Sequence, residues 1–434
     1  MTVIPVMNED CASPVADAFR RDVRQERGPR QMFCGLAGLI WLHRKMTDAF
    51  FLVVGSRTCA HFLQSAGGVM IFAEPRFATL LLEERDLAGL TDVDDGLDDA
   101  VARILKRRPD VRQIYLVGSC PSEVIKLDLS RAARRLTSTY HPRVTVRHYA
   151  ASGLDTVFTR GEDACLAAIA RDLPDAAPGA RASLIVLGAL PDIVEDQFRR
   201  LFDALGIGPV SFLPGKRQGS LPGVGRATRL LLAQPFLAET TRILEARGAL
   251  RLPAPYPIGV EGTSLWLKAA ADAWAVDAGR FDAVTAPGRE RGIRALEGHA
   301  ALLRQRRIFL FPDSELEIPL ARFLSRELGM TVIEAGTPYL HRTLMDAELS
   351  LLPDGIPLTE GQDVDRQLDR CRAARPDLVL CGLGLANPLE AVGLTTKWSI
   401  ELIFSPIHGY EQAGDLAQLF SRPMTRMTAL DFGR

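Results

Sequence analysis

Several signatures are missing from this chain, and each absence removes a class of function. No G-x-x-x-x-G-K-S/T run occurs, so the chain is not expected to hydrolyse nucleotide on a P-loop of its own. Gly382-Leu383-Gly384 and Gly223-Val224-Gly225 both fail to complete G-x-G-x-x-G, because Asn387 and Thr228 stand where the last glycine would be. That leaves a nicotinamide site without support. G-x-S-x-G, H-E-x-x-H and C-x-x-C are also absent, which removes the common hydrolase, zinc-protease and zinc-knuckle readings. No charge of one sign dominates: 52 Lys and Arg against 53 Asp and Glu give a net charge of −1. A nucleic-acid partner would call for a basic surplus, and Lys106-Arg107-Arg108 reads as a cationic helix end. Long hydrophobic runs are lacking too. Ala49–Val54 and Leu230–Ala233 are far too short to cross a bilayer, and the first thirty residues contain no apolar signal core. The expectation is a cytoplasmic protein, not transmembrane, whose seven cysteines are thiols or metal ligands and not disulfides.

What is present is an ordinary globular composition, 47% hydrophobic and 24% charged over 434 residues, enough for several domains. Residues 1–28 read as a loosely ordered arm. Beyond them, buried-strand runs alternate with helical spacing. Ala49–Gly55, Gln113–Gly118, Arg143–Ala150, Ser183–Gly188, Arg307–Phe311 and Asp377–Gly382 read as strands, with a short one at Val69–Phe72. Thr58–Ala66 reads as a helix stopped by Gly67-Gly68, and Thr396–Phe404 and Gly414–Phe420 as closing helices. Segments starting at Ser183 and Arg307 share one grammar: strand, Pro-Asp turn, helix, glycine, strand. The fold class predicted is α/β, with three Rossmann-like modules of parallel sheet at 29–180, 181–304 and 305–434.

Cys59 in VVGSRTC and Cys120 in YLVGSC follow strand-like runs ending in Gly-Ser. Both therefore fall at the carboxyl edge of a parallel sheet, where loops turn into helices and ligands bind. Free amides at helix starts favour an anionic thiolate. Cys34, in QMFCGLAGLIWLHR, precedes another helix start. The long gaps among these three do not match short zinc or ferredoxin knuckles. They fit a cluster gripped by several loops of one domain. Cys11 lies in the arm, Cys165 and Cys371 in helical patterns, and Cys381 at a strand end in another module; these read as packing residues. Three cysteines leave a four-site cluster one ligand short, to be met by another group or another chain. Among the scattered histidines, His408 in FSPIHGYEQAGDL stands out, flanked by Pro406 and Gly409.

The segment FCGLAGLIWLHRKMTDAFFLVVGSRTCAHFLQSAGGVMIFAEPRFA (33–78) resembles the N subunits of light-independent protochlorophyllide reductase. So do LVGSCPSEVIKLDL (116–129), SGLDTVFTRGEDACLAA (152–168), PIGVEGTSLWL (257–267) and NPLEAVGLTTKWSIELIFSPIHGYEQAGDLAQLFSRP (387–423). The resemblance implies a fold like the nitrogenase MoFe-protein α subunit. It implies a heterotetramer of two N and two B subunits and a transient L protein that carries ATP and Mg. It also implies reduction of the ring D double bond of protochlorophyllide to chlorophyllide a, in chlorophyll or bacteriochlorophyll synthesis, at most peripheral to photosynthetic membranes. By motif, Cys34, Cys59 and Cys120 become ligands of a 4Fe–4S cluster shared with the B subunit, which supplies an aspartate. Phe33, Asn387, Trp398 and His408 are candidate pigment contacts. Other readings with this fold are a nitrogenase-type α subunit, a scaffold for metal-cofactor assembly and a zinc-stabilised interaction protein. The first would need a cysteine in the middle module, and none lies between Cys165 and Cys371.

Overall fold

The structure is a computed structural model that describes residues 22–70, 76–90, 92–154 and 157–430. Among the described residues fourteen strands form three sheets, and every strand pair within them is parallel. The chain enters through β1 (Val23–Gln25). The N-terminal sheet holds β2 (Ala49–Gly55), β3 (Phe77–Leu81), β4 (Gln113–Gly118) and β5 (Thr145–Ala150), in the order β3-β2-β4-β5. The middle sheet holds β6 (Ser183–Leu187), β7 (Val210–Leu213), β8 (Thr228–Leu232) and β9 (Leu250–Arg251), in the order β7-β6-β8-β9. The C-terminal sheet adds β10 (Arg307–Leu310), β11 (Thr331–Thr337), β12 (Leu358–Glu360), β13 (Leu378–Cys381) and β14 (Thr396–Trp398) to β1, in the order β1-β12-β11-β10-β13-β14.

The strand sequences explain the parallel arrangement. Every residue of β2 and β4 is buried, so both faces must be covered, and continuous apolar runs do this where alternating ones cannot. Amphipathic helices such as Val93–Arg107 and Leu129–Tyr140 turn Leu97, Val101, Ile104, Ala132 and Leu136 onto the sheet. The two echoing segments fold alike. Helices Asp192–Leu205 and Glu317–Arg326 are each followed by a left-handed glycine, Gly206 (φ 74°) and Gly329 (φ 68°). Among the described residues no helix is long and apolar enough to cross a membrane.

Three sequence expectations need correction. The arm does not reach residue 28: β1 pairs with β12 in the register Val23↔Leu358 to Gln25↔Glu360. Its polar look is explained by ion pairs, Arg24 to Glu334 and Glu26 to Arg370. Residues 1–21 lie outside the described residues. The helix from Arg57 runs on to Met70 through Gly67 and Gly68, and the next strand is Phe77–Leu81. Each glycine costs only about 1 kcal/mol in a helix, which does not by itself end one. Residues 71–75 of the expected strand Val69–Phe72 and its surroundings lie outside the described residues. Finally, Thr396–Trp398 is an edge strand on β13, and only Ser399–Phe404 is helical. Thr and Trp suit a strand better than a helix, and Gly393 (φ 84°) turns the chain before it.

The middle and C-terminal sheets share one core, and a buried ion cluster sits within it. Arg322 is 0% exposed. It donates to Glu348 at 2.7 Å, to Glu327 at 3.1 Å and to the Ile258 carbonyl at 2.7 Å, while Glu348 also accepts the Tyr256 amide at 2.8 Å. Removing one partner strands the other charge in the core, at a cost of about 3–5 kcal/mol. The expected outcome is that Glu348→Ala sharply lowers the thermal unfolding midpoint, whereas Arg291→Ala, which breaks the exposed Arg291–Glu411 pair, leaves it nearly unchanged. Equal midpoints for the two variants in calorimetry would show that the buried cluster does not carry this weight.

Candidate metal centre

Three cysteines meet at the carboxyl edge of the N-terminal sheet. Cys59 lies in the first turn of the helix that follows β2, and Cys120 opens the helix Cys120–Val124 that follows β4. The serine before Cys120 shapes both loops. Ser119 Oγ donates to the Val54 carbonyl at 2.6 Å, tying the end of β4 to the end of β2, and its amide donates to Ser122 Oγ at 2.8 Å. Ser56 plays the local part at Cys59, with Oγ 3.4 Å from Sγ. Gly55 keeps the two loops close: a Cβ there would stand 2.5 Å from Ser119 Oγ and 3.2 Å from Cys59 Sγ. Gly55 and Ser119 thus hold the ends of β2 and β4 together.

Cys34 precedes the 3-10 turn Gly35–Gly38, and its carbonyl accepts the Ala37 amide at 3.1 Å. The loop after β5 brings it to the other two. The Gly153 amide donates to Cys120 Sγ at 3.2 Å, and a Cβ on Gly153 would lie 2.9 Å from Cys34 Cβ. The turn is seated by the helix Arg160–Asp172, whose Gly161 passes so close that an added Cβ would fall 2.0 Å from the Gly35 carbonyl oxygen.

Burial pushes the Cys34 thiol up from its ordinary pKa. The Leu36 amide opposes this, and negative charge on Cys120 and Cys59 adds to it. The three sulfurs thus feel one another, and a cation among them would relieve both burial and repulsion. They are half-buried, whereas Cys165, Cys371 and Cys381 are wholly buried and their thiols are raised by that burial. Cys11 lies outside the described residues. Among the described residues no three His, Cys, Asp or Glu side chains close round a single metal ion. A polyatomic cluster takes one thiolate per iron and makes no such demand.

Beside the thiols is an aromatic cluster that the sequence reading only touched. Phe33, next to Cys34, packs on Phe62 with ring centroids 5.7 Å apart. Phe158, Ile400, Ile403, Trp41 and Phe404 belong to the same cluster. Trp41 meets Phe158 and Phe404 edge-on, at 6.4 Å and 5.7 Å. Trp41 and Phe404, with Ile403, Pro406, Ala189 and Leu190, line a cavity of about 350 Å³ with Arg44 and Lys45 at its polar side. A helical pairing signal for Trp41 was available, since it lies in the stretch that opens after Cys34. Phe404 is more than 350 residues away, and no local pattern joins the two.

The other candidate contacts lie elsewhere. Asn387 is exposed on the helix Leu383–Glu390. Trp398 is 44% exposed and lines a separate hollow of about 210 Å³ with Glu390, Lys397, Glu401 and Arg422. His408 is buried where its neighbour Gly409 donates to the Pro257 carbonyl. Burial lowers its pKa to about 4, so it stays neutral.

A family model of nitrogenase component 1 type oxidoreductases matches residues 34–425. Light-independent protochlorophyllide reductase subunit N of Rhodopseudomonas palustris (strain BisB18) is 63% identical over 425 residues, which cover 98% of this chain and 99% of that one. Its namesakes from Rhodospirillum rubrum and Rubrivivax gelatinosus are 66% and 64% identical, over 94% of this chain and 93% and 95% of theirs. A solved structure titled nitrogenase Cp1 at pH 6.5 superposes with a TM-score of 0.72 at 17% identity, over 95% of this chain and 97% of that one. At that identity the likeness concerns the fold, which is that of nitrogenase component 1. The chain therefore belongs to the nitrogenase component 1 type oxidoreductases and, within them, to the family of light-independent protochlorophyllide reductase N subunits.

Proposed function

We propose that this chain works as the N subunit of an ATP-dependent, light-independent protochlorophyllide reductase. The observation that carries the reading is the meeting of Cys34, Cys59 and Cys120 at one sheet edge, beside an aromatic cluster that includes Phe33, the residue before Cys34, and Trp41 and Phe404 of the cavity wall. Three thiolates would hold three irons of a 4Fe–4S cluster, and the fourth ligand comes from the B subunit. Bound there, such a cluster supplies electrons one at a time.

The remaining work belongs to the chain's own residues. Ser119, Gly55 and Gly153 fix the spacing of the cysteine loops, and backbone amides at helix starts and at Gly153 stabilise anionic sulfur. Phe33, Phe62, Trp41 and Phe404 offer flat apolar surface for a tetrapyrrole and keep water from the path between sulfur and pigment. Saturating one carbon–carbon double bond takes two electrons and two protons, so a one-electron donor must dock at least twice per product. Nucleotide chemistry is assigned to the separate L protein, in keeping with the missing P-loop.

Two outcomes are expected. In the co-expressed complex with the B subunit, Cys34→Ala, Cys59→Ala or Cys120→Ala should each lose iron and acid-labile sulfide together with activity. Cys165→Ala and Cys371→Ala should retain both; full iron and activity in Cys59→Ala would refute the ligand assignment. The wild-type complex should convert protochlorophyllide to chlorophyllide a in darkness only with L protein, ATP and reductant, and should hydrolyse no ATP without L protein. An iron-replete complex that never turns over pigment under these conditions would instead favour the cofactor-scaffold reading.

A further inference from the structure

Glu162 is 1% exposed, and none of the ligand roles above uses it. Its two oxygens hold two different walls of the 350 Å³ cavity. Oε2 accepts the Trp41 indole N–H at 2.5 Å, and Oε1 accepts the Ala189 amide at 2.7 Å. Trp41 belongs to the helix Leu39–Lys45, which continues the turn after Cys34, whereas Ala189 lies in the loop after β6. One side chain on a third element, the helix Arg160–Asp172, therefore joins the cysteine-bearing part of the chain to the middle sheet at the cavity.

We propose that Glu162 is the positioning residue of this cavity, fixing the plane of the Trp41 ring and its separation from Ala189 so that the slot accepts a flat macrocycle. This rests on the pigment reading of the same cavity. Three observations support it. First, Phe158 and Phe404 clamp Trp41 edge-on, at interplanar angles of 85° and 73°. Packing thus limits the tilt of the indole, and the hydrogen bond chooses its rotation. Second, both carboxylate oxygens face N–H donors, so an amide at this position would satisfy one donor and turn its own NH2 against the other. Burial raises the Glu162 pKa to about 7, while the two donors favour the ion. Third, Glu162 does not itself line the cavity; it acts through Trp41 and Ala189 without touching the ligand.

The test uses the iron-replete complex with the B subunit and protochlorophyllide as the probe. Glu162→Gln should weaken pigment binding by about tenfold, the effect of losing one charge-assisted hydrogen bond. It should raise KM much more than it lowers kcat, leave iron content unchanged and broaden the red absorption band of the bound pigment. Trp41→Phe keeps a ring but removes the indole donor, and should reproduce the loss. The double variant should be no worse than Trp41→Phe alone. Wild-type affinity and band shape in either single variant, or multiplication of their effects in the double, overturns the inference. If Glu162→Gln fails to assemble, Trp41→Phe decides alone. A wild-type complex that holds iron but never binds pigment overturns the pigment reading, and this inference with it.

Discussion

The first turn of the helix Arg160–Asp172 is the constraint on which the rest of the arrangement depends. Four consecutive residues reach four different places. Arg160 pairs with the fully buried Glu315 at 2.9 Å, lies over the Tyr339 ring at 4.7 Å and contacts His341, all in the C-terminal part of the chain. Gly161 seats the turn after Cys34. Glu162 takes Trp41 and Ala189, and Asp163 accepts the amides of Glu239 and Thr240, both at 2.9 Å. Buried charges persist only when paired and hydrogen-bonded. Each of these contacts is therefore hard to give up, and together they lock the relative placement of loops from all three sheets.

That locking also bears on the three cysteines at the sheet edge. Cys59 and Cys120 lie in the first turns of helices and Cys34 just before a 3-10 turn, all next to strand-end loops, which are the mobile part of most folds. Here Ser119 ties two of the loops together across neighbouring strands, and Gly153 ties the third to Cys120. The rigid helix behind Cys34 removes the remaining freedom. Electrostatics follows the same layout. Burial raises the Cys34 thiol, and repulsion from Cys120 and Cys59 adds to it.

Much of this was legible in the residues. Continuous apolar runs identified the parallel strands, and the repeated Gly-Ser-before-Cys context placed Cys59 and Cys120 at equivalent strand ends. Ser119 ties the two strand ends together through the Val54 carbonyl. Other features were hidden because they are tertiary. The polar sequence of β1 makes sense only beside Glu334 and Arg370, more than 300 residues on. Trp41 and Phe404 form one wall although nothing local links them. His408 stood out in the sequence because Pro406 and Gly409 flank it, yet it is buried. A helical reading of Thr396–Trp398 failed because short edge strands carry little periodicity of their own.

The pairing of β1 with β12 also bears on the order of events during synthesis. Residues 23–25 are translated well before their partner strand, which is made only after both other sheets. The first strand must therefore wait, unpaired, while the N-terminal and middle sheets form. Its polar, charged character keeps it soluble in that interval. When it docks on the edge beside β12, an early segment of the chain becomes part of the last sheet to be made. Closing so long a loop adds little entropic cost beyond that of a shorter one, so the wait is set by the pace of translation.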